Sequence, residues 1–131
     1  MKKFFAFCAY LTALPFLVSC QCGVQKQTEE NRTVFTLEHF DGRYKTNLER
    51  LKKGEGTIYF SATLSEGEIN VYYDLGLIWE KELLFSASAG EPIVGVGGYL
   101  EDSSVTVIID AVSPATGEII LDFENEITQT D

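Results

Sequence analysis

Between residues 57 and 75 apolar and polar side chains alternate with a period of two, and this alternation constrains the fold more than any other feature of the chain. Ile58, Phe60, Ala62 and Leu64 share one side of an extended backbone, with Thr57, Tyr59, Ser61 and Thr63 on the other. After Ser65-Glu66-Gly67 the pattern resumes with Ile69, Val71, Tyr73 and Leu75 against Glu68, Asn70, Tyr72 and Asp74. A helix would scatter these residues around its surface, whereas a strand gathers each set on one face. The apolar set changes from even to odd numbers. If the two runs pair directly, the loop between them must be even in length, and residues 65–68 satisfy this. A hairpin is therefore expected here.

The same reasoning extends along the chain. Residues 33–40 form a first candidate strand, closed by Asp41-Gly42. Residues 43–51 read either as a strand, with Tyr44, Thr46 and Leu48 alternating, or as a short helix opened by a capping box at Thr46-Asn47-Leu48-Glu49; the strand fits the following Lys53-Gly54-Glu55-Gly56 reversal better. Residues 78–87 give another run, begun by Trp79 and carrying Leu83 and Phe85 on one face. Residues 93–99 follow as a glycine-laden strand whose Gly95, Gly97 and Gly98 suggest an edge, a bulge or a close backbone approach. In the last pair, Val105, Val107, Ile109 and Ala111 share a face, as do Ile119, Leu121 and Phe123 beyond Ser113-Pro114-Ala115-Thr116-Gly117. An odd loop keeps those two runs in register as a second hairpin. Ile108, Val112 and Ile120 project to the opposite side and form a candidate apolar docking patch unless another segment covers them. Seven or eight short antiparallel strands with turn signals between them make an all-β chain, a small β-sandwich of immunoglobulin-like or jelly-roll style over residues 34–124, followed by an acidic tail at 125–131.

The first nineteen residues have a different character. Lys2 and Lys3 precede a run of mostly apolar residues from 4 to 18 that contains Pro15. At roughly 1.5 Å per residue this run reaches about 22 Å, short of the roughly 30 Å hydrocarbon core of a bilayer. It reads as a removable export signal. Leu17-Val18-Ser19-Cys20 resembles the lipobox of bacterial lipoprotein precursors. The resemblance implies that residues 1–19 are cleaved, that Cys20 becomes the first residue of the mature protein, and that its sulfur and then its amino group carry fatty acyl chains. Two or three chains anchor a protein stably to a membrane, with each buried methylene contributing about 0.8 kcal/mol. Residues 20–33, rich in Gln, Glu, Asn, Lys and Thr, then read as a lipidated cysteine and polar tether. The body resembles small accessory β-sandwich domains of cell-surface lipoproteins through its spacing of strands and turns, and this implies a place at the bacterial cell envelope, at the outer membrane or cell surface, outside the cytoplasm.

The 131 residues include 20 acidic and 10 basic side chains, a formal charge of −10; loss of Lys2 and Lys3 with the leader would leave −12. Such a balance excludes recognition of a nucleic-acid backbone, which needs clustered cations. No catalytic residues stand out. His39 is the only histidine, G-x-S-x-G is absent, and neither a calcium loop nor a zinc ligand set occurs, so no metal and no cofactor is expected. Binding is the expected class: a non-catalytic interaction or structural module facing envelope proteins, or a carbohydrate-binding module. Small secreted inhibitors of hydrolases use sandwiches of similar size and offer a further reading. For the carbohydrate reading Tyr59 and Tyr72 lie together on the outward face of the expected first hairpin, with Trp79 a strand away, as a platform on which sugar rings could stack.

Overall fold

A computed structural model describes residues 18–21, 23–50, 55–74, 81–100 and 104–127. It contains eight strands: β1 (Val18–Gln21), β2 (Val24–Glu29), β3 (Arg32–Phe40), β4 (Arg43–Glu49), β5 (Gly56–Asp74), β6 (Glu82–Ser88), β7 (Ile93–Leu100) and β8 (Ser104–Asp122). All strand pairs are antiparallel. Residues 1–17, within the expected export signal, and Trp79 lie outside the described residues.

β5 and β8, each 19 residues long, are the frame on which everything else hangs. They pair with each other from Tyr59↔Asp122 to Asp74↔Thr106, with register shifts between Leu64 and Ile69. Around those shifts both strands bend, so one hydrogen-bonded sheet folds over into two layers. The first layer runs β1-β2-β3-β8-β5-β7 through the C-terminal half of β8 and the N-terminal half of β5. In the second, β4 flanks the N-terminal half of β8 and β6 flanks the C-terminal half of β5. The result is the expected β-sandwich. Its topology differs from expectation, because neither of the two expected hairpins exists: residues 57–74 and 105–122 are each part of a single bent strand.

The glycines at the bends explain why the chain kinks there. Gly67 has φ +84°, a conformation that side-chain-bearing residues rarely adopt, and a Cβ at this position would run into the Pro114 carbonyl oxygen. Across the corner, a Cβ on Gly117 would meet the carbonyl oxygen of Thr63. The two bent strands therefore touch backbone to backbone, and each turn-like sequence supplies a bulge in place of a reversal. The change of parity noted in the sequence is the signature of this bulge: Leu64 and Ile69 both point into the core, from different layers.

The core lies between the layers. Phe35, Leu37, Ile58, Phe60, Ile119 and Leu121 enter it from the first, and Tyr44, Leu48, Val71, Phe85, Val107 and Ile109 from the second. Phe60 stacks on Phe85 with ring centroids 4.5 Å apart, and Phe35 meets Tyr44 edge to face at 6.1 Å. Residues 43–49 are a strand, with Tyr44 and Leu48 facing inward as the alternation implied. On β7 the glycines have a packing role: a Cβ on Gly95 would come within 2.8 Å of the Phe60 ring, so the absence of a side chain there gives the ring its place.

Two further expectations are corrected. Val24–Glu29 is not a flexible tether but strand β2, paired with β3 along its length, with Val24 buried in the core and the neighbouring Gln25 buried as well. From β2, Lys26 reaches across to β4, donating to Thr46 Oγ1 at 2.8 Å and to the Asn47 carbonyl at 3.3 Å, and burial pushes its pKa below the ordinary lysine value. Leu83 and Phe85 do not share a face. β6 carries an extra residue where Tyr72↔Leu83 gives way to Val71↔Phe85, so Leu83 turns outward and Leu84 packs against the core. Within the acidic tail Ile127 is buried.

Candidate functional site

The bends decide the fate of the residues singled out in the sequence. Tyr59 lies on the outer face of the first layer, opposite Asp122 on one side and Val96 on the other. Tyr72 lies on the outer face of the second layer, opposite Ile108 and Leu83, with the Lys81 ammonium 4.9 Å from its ring centroid. A hairpin would have set the two tyrosines side by side; the bent strand places them on opposite outer faces of the sandwich, and the expected platform does not form. Trp79 falls outside the described residues.

The apolar patch is likewise dispersed. Ile108 is 5% exposed on the second layer, Val112 is 57% exposed at the bend, and Ile120 sits half-buried on the first layer between Val34 and Ser61. The backbone of Cys20 is in β1, opposite Gln25. His39, held at φ +49° by the irregular end of β3, places Nδ1 3.2 Å from Glu66 Oε1, while the Ser65 hydroxyl donates to the Thr116 carbonyl at 3.4 Å. The hydroxyl and the imidazole thus have separate partners, and they make no nucleophile–base pair. Among the described residues no group of three or more His, Cys, Asp or Glu is placed to hold a metal ion.

The structure instead gathers recognition chemistry at one end of the first layer, where β2 turns into β3, β5 begins and β8 ends. Two hollows of about 260 Å³ each open there. Asn31 and Glu124 belong to both, and the Asn31 Nδ2 to Glu124 Oε2 hydrogen bond, 3.0 Å, forms part of their shared wall. The first hollow is lined by Tyr59, Arg50, Glu55 and Phe123 among others; Arg50 lies against Gly56, where a Cβ would come within 2.5 Å of Nη2. The second is lined by Glu29, Glu30, Arg32, Asp122 and Asn125.

Asp122 organises this end. Its buried carboxylate accepts the backbone N–H groups of Glu124 and Asn125 at 2.8 and 2.7 Å through Oδ1, while Oδ2 accepts from Arg32 Nε at 2.8 Å. That double backbone contact turns the chain sharply after β8 and sets Glu124 beside Asn31. Across from it, Glu30 occupies the β2–β3 turn at φ +56°, a conformation that costs a residue with a side chain roughly 1–2 kcal/mol. Sequence reasoning marked Tyr59 and missed the rest, because Asn31, Arg50 and Glu124 are far apart in the chain and carry no local motif.

No family model matches the chain, and no curated protein matches its sequence. Among solved structures it is similar to a mutant of a family 29 carbohydrate-binding module, with 12% identity over 83% of this chain and 84% of that one and a TM-score of 0.46. A second structure of a family 29 module gives 15% identity over 77% and 70% of the two chains, TM-score 0.45. The cupin domain of Drosophila melanogaster CENP-C gives 11% over 82% and 74%, TM-score 0.41. At these values the likenesses carry nothing about a ligand.

Proposed function

We propose that the protein is a carbohydrate-binding module held at the outer side of a bacterial membrane by acyl chains on Cys20. The observation that carries the binding reading is the double hollow around Asn31 and Glu124. An aromatic ring, Tyr59, stands among carboxylates, a carboxamide and a guanidinium. Sugar rings offer C–H faces to aromatic surfaces and hydroxyls that donate to carboxylates and accept from amide and guanidinium N–H groups. The open shape suits a chain end or a branch of a glycan more than an enclosed small molecule.

Charge narrows the class of sugar. Glu29, Glu30, Glu55 and Glu124 line the hollows with Arg32 and Arg50, and Arg32 is already paired with Asp122. Neutral glycans and those bearing amino groups fit this balance; uronic acids and phosphorylated sugars are repelled.

The anchor reading rests on the Leu17-Val18-Ser19-Cys20 sequence. With β2 part of the body, the lipid would join the sandwich almost at the edge of its first layer, without the spacer expected from the sequence. Glycan binding is tested by titrating neutral, amino and acidic oligosaccharides onto the protein. Tyr59→Ala and Asn31→Ala should each weaken binding about tenfold or more, in keeping with the loss of a stacking or hydrogen-bonding contact. Binding that tolerates both substitutions would remove the site. The anchor is tested separately by incorporation of labelled palmitate, which Cys20→Ala should abolish.

A further inference from the structure

We propose that β7 is a dimerisation edge, at which two copies of this chain join their first layers by antiparallel pairing centred on Gly95. β7 ends that layer, and among the described residues it pairs with β5 alone. A strand in this position presents a row of backbone N–H and C=O groups on its outer side, and proteins that stay monomeric usually guard such a row with lysine, proline or a charged side chain. The sequence Ile-Val-Gly-Val-Gly-Gly-Tyr-Leu has none of these over its 8 residues, whereas every strand from β2 to β6, and β8, bears at least one charge.

The occupant follows from charge and from symmetry. A chain with formal charge −10 repels its own copies wherever carboxylates would meet, and β7 is a described edge from which that repulsion is missing. Val94 and Val96, 38% and 55% exposed, stand on the outer face with Gly95 between them. A twofold axis at Gly95 sets Val94 opposite Val96 of the second copy, and Val96 opposite its Val94, so the same short sequence supplies both halves of an apolar ladder. On the inner side Gly95 and Gly97 have no side chains, and Phe60 and Leu84 fill that space from within the sandwich. The contact is a strip, which places the dimer in the class of small, concentration-dependent interfaces.

Sedimentation of the full chain over a concentration series tests the proposal, with hydrogen exchange at residues 93–100 read in parallel. The expected result is a mass rising from one chain to two, together with exchange in β7 that slows as concentration rises. Val96→Lys and Val94→Lys, each at an exposed position, should weaken association roughly tenfold or more without changing the circular dichroism of the β-sheet. A single-chain mass throughout with concentration-independent exchange in β7 overturns the proposal, and so does association that both lysine variants leave intact. Should either variant fail to fold, the exchange measurement on the unaltered chain still decides.

Discussion

The Phe60 and Phe85 rings lie 4.5 Å apart between centroids with an interplanar angle of 17°, and this contact joins the two layers near the β7 edge. Gly95 lies against the Cζ end of the Phe60 ring, which is 2.8 Å from where a Cβ on Gly95 would stand. Truncating Phe85→Ala should cost about 3–5 kcal/mol, the usual range for deleting a buried aromatic side chain. Gly95→Ala should destabilise by about 1–3 kcal/mol through overpacking. In the double variant Phe60→Leu, Gly95→Ala the cost should be less than the sum of the two single changes, because the smaller side chain leaves space for the added methyl. Urea unfolding of the four chains checks this; strict additivity would disconnect the glycine from the ring.

At the bend, Gly67→Ala should be more damaging than Gly90→Ala. Both residues have positive φ, but a Cβ on Gly67 runs into the Pro114 backbone, while a Cβ on Gly90 meets nothing within 4 Å. Gly90→Ala should carry only the conformational cost, about 1–2 kcal/mol. Thermal melts of the two variants give the comparison.

These two elements also show how far the sequence could be read. The alternation named the inward residues of β5 and β8 correctly, since burial of one face leaves a period of two whatever the partner. It could not reveal that Ser65-Glu66-Gly67 bends the strand where a hairpin would reverse it, because a glycine at positive φ serves either purpose locally. The choice is made by residues some fifty positions away, where Pro114 and Gly117 provide a matching kink. The two hollows were illegible for the same reason: Asn31, Arg50, Tyr59 and Glu124 converge only after β3, β5 and β8 have paired. The strand at 24–29 was hidden by polar composition, its burial resting on Val24 and on Gln25.

At the end of the first layer, Asp122→Ala should cost about 3–5 kcal/mol, because it leaves Arg32 without its carboxylate and two backbone N–H groups without their acceptor. Asp122→Asn should cost less, since the amide oxygen can still accept the two backbone bonds. Denaturant titration distinguishes them, and equal losses would mean that Oδ1 is not what fixes the turn.

Glu30→Gly should have opposite effects on stability and on binding. Relieving the φ +56° conformation should stabilise the protein by up to about 1 kcal/mol, while loss of a carboxylate at the second hollow should weaken binding of amino sugars. A variant that gains stability and keeps full affinity would remove Glu30 from the site.

Lys26 sets a pH dependence. Burial disfavours its charged form, so the folded state binds this proton less tightly than the unfolded chain does. The charged lysine therefore weakens the fold at neutral pH, and stability should rise as pH climbs through the lowered pKa towards the ordinary lysine value. Compared with Lys26→Met, the natural chain should become relatively more stable on moving from neutral to alkaline solution. A constant difference between the two chains across that range would refute the assignment.

β8 is the partner of β3, β4 and β5 alike, and it follows all three in the chain. Neither layer can close without β8, whereas β2 with β3, and β5 with β6 and β7, can pair before it arrives. Closure by a strand so distant in sequence from β3 and β4 makes assembly slow, because a long loop must be closed before its contacts form.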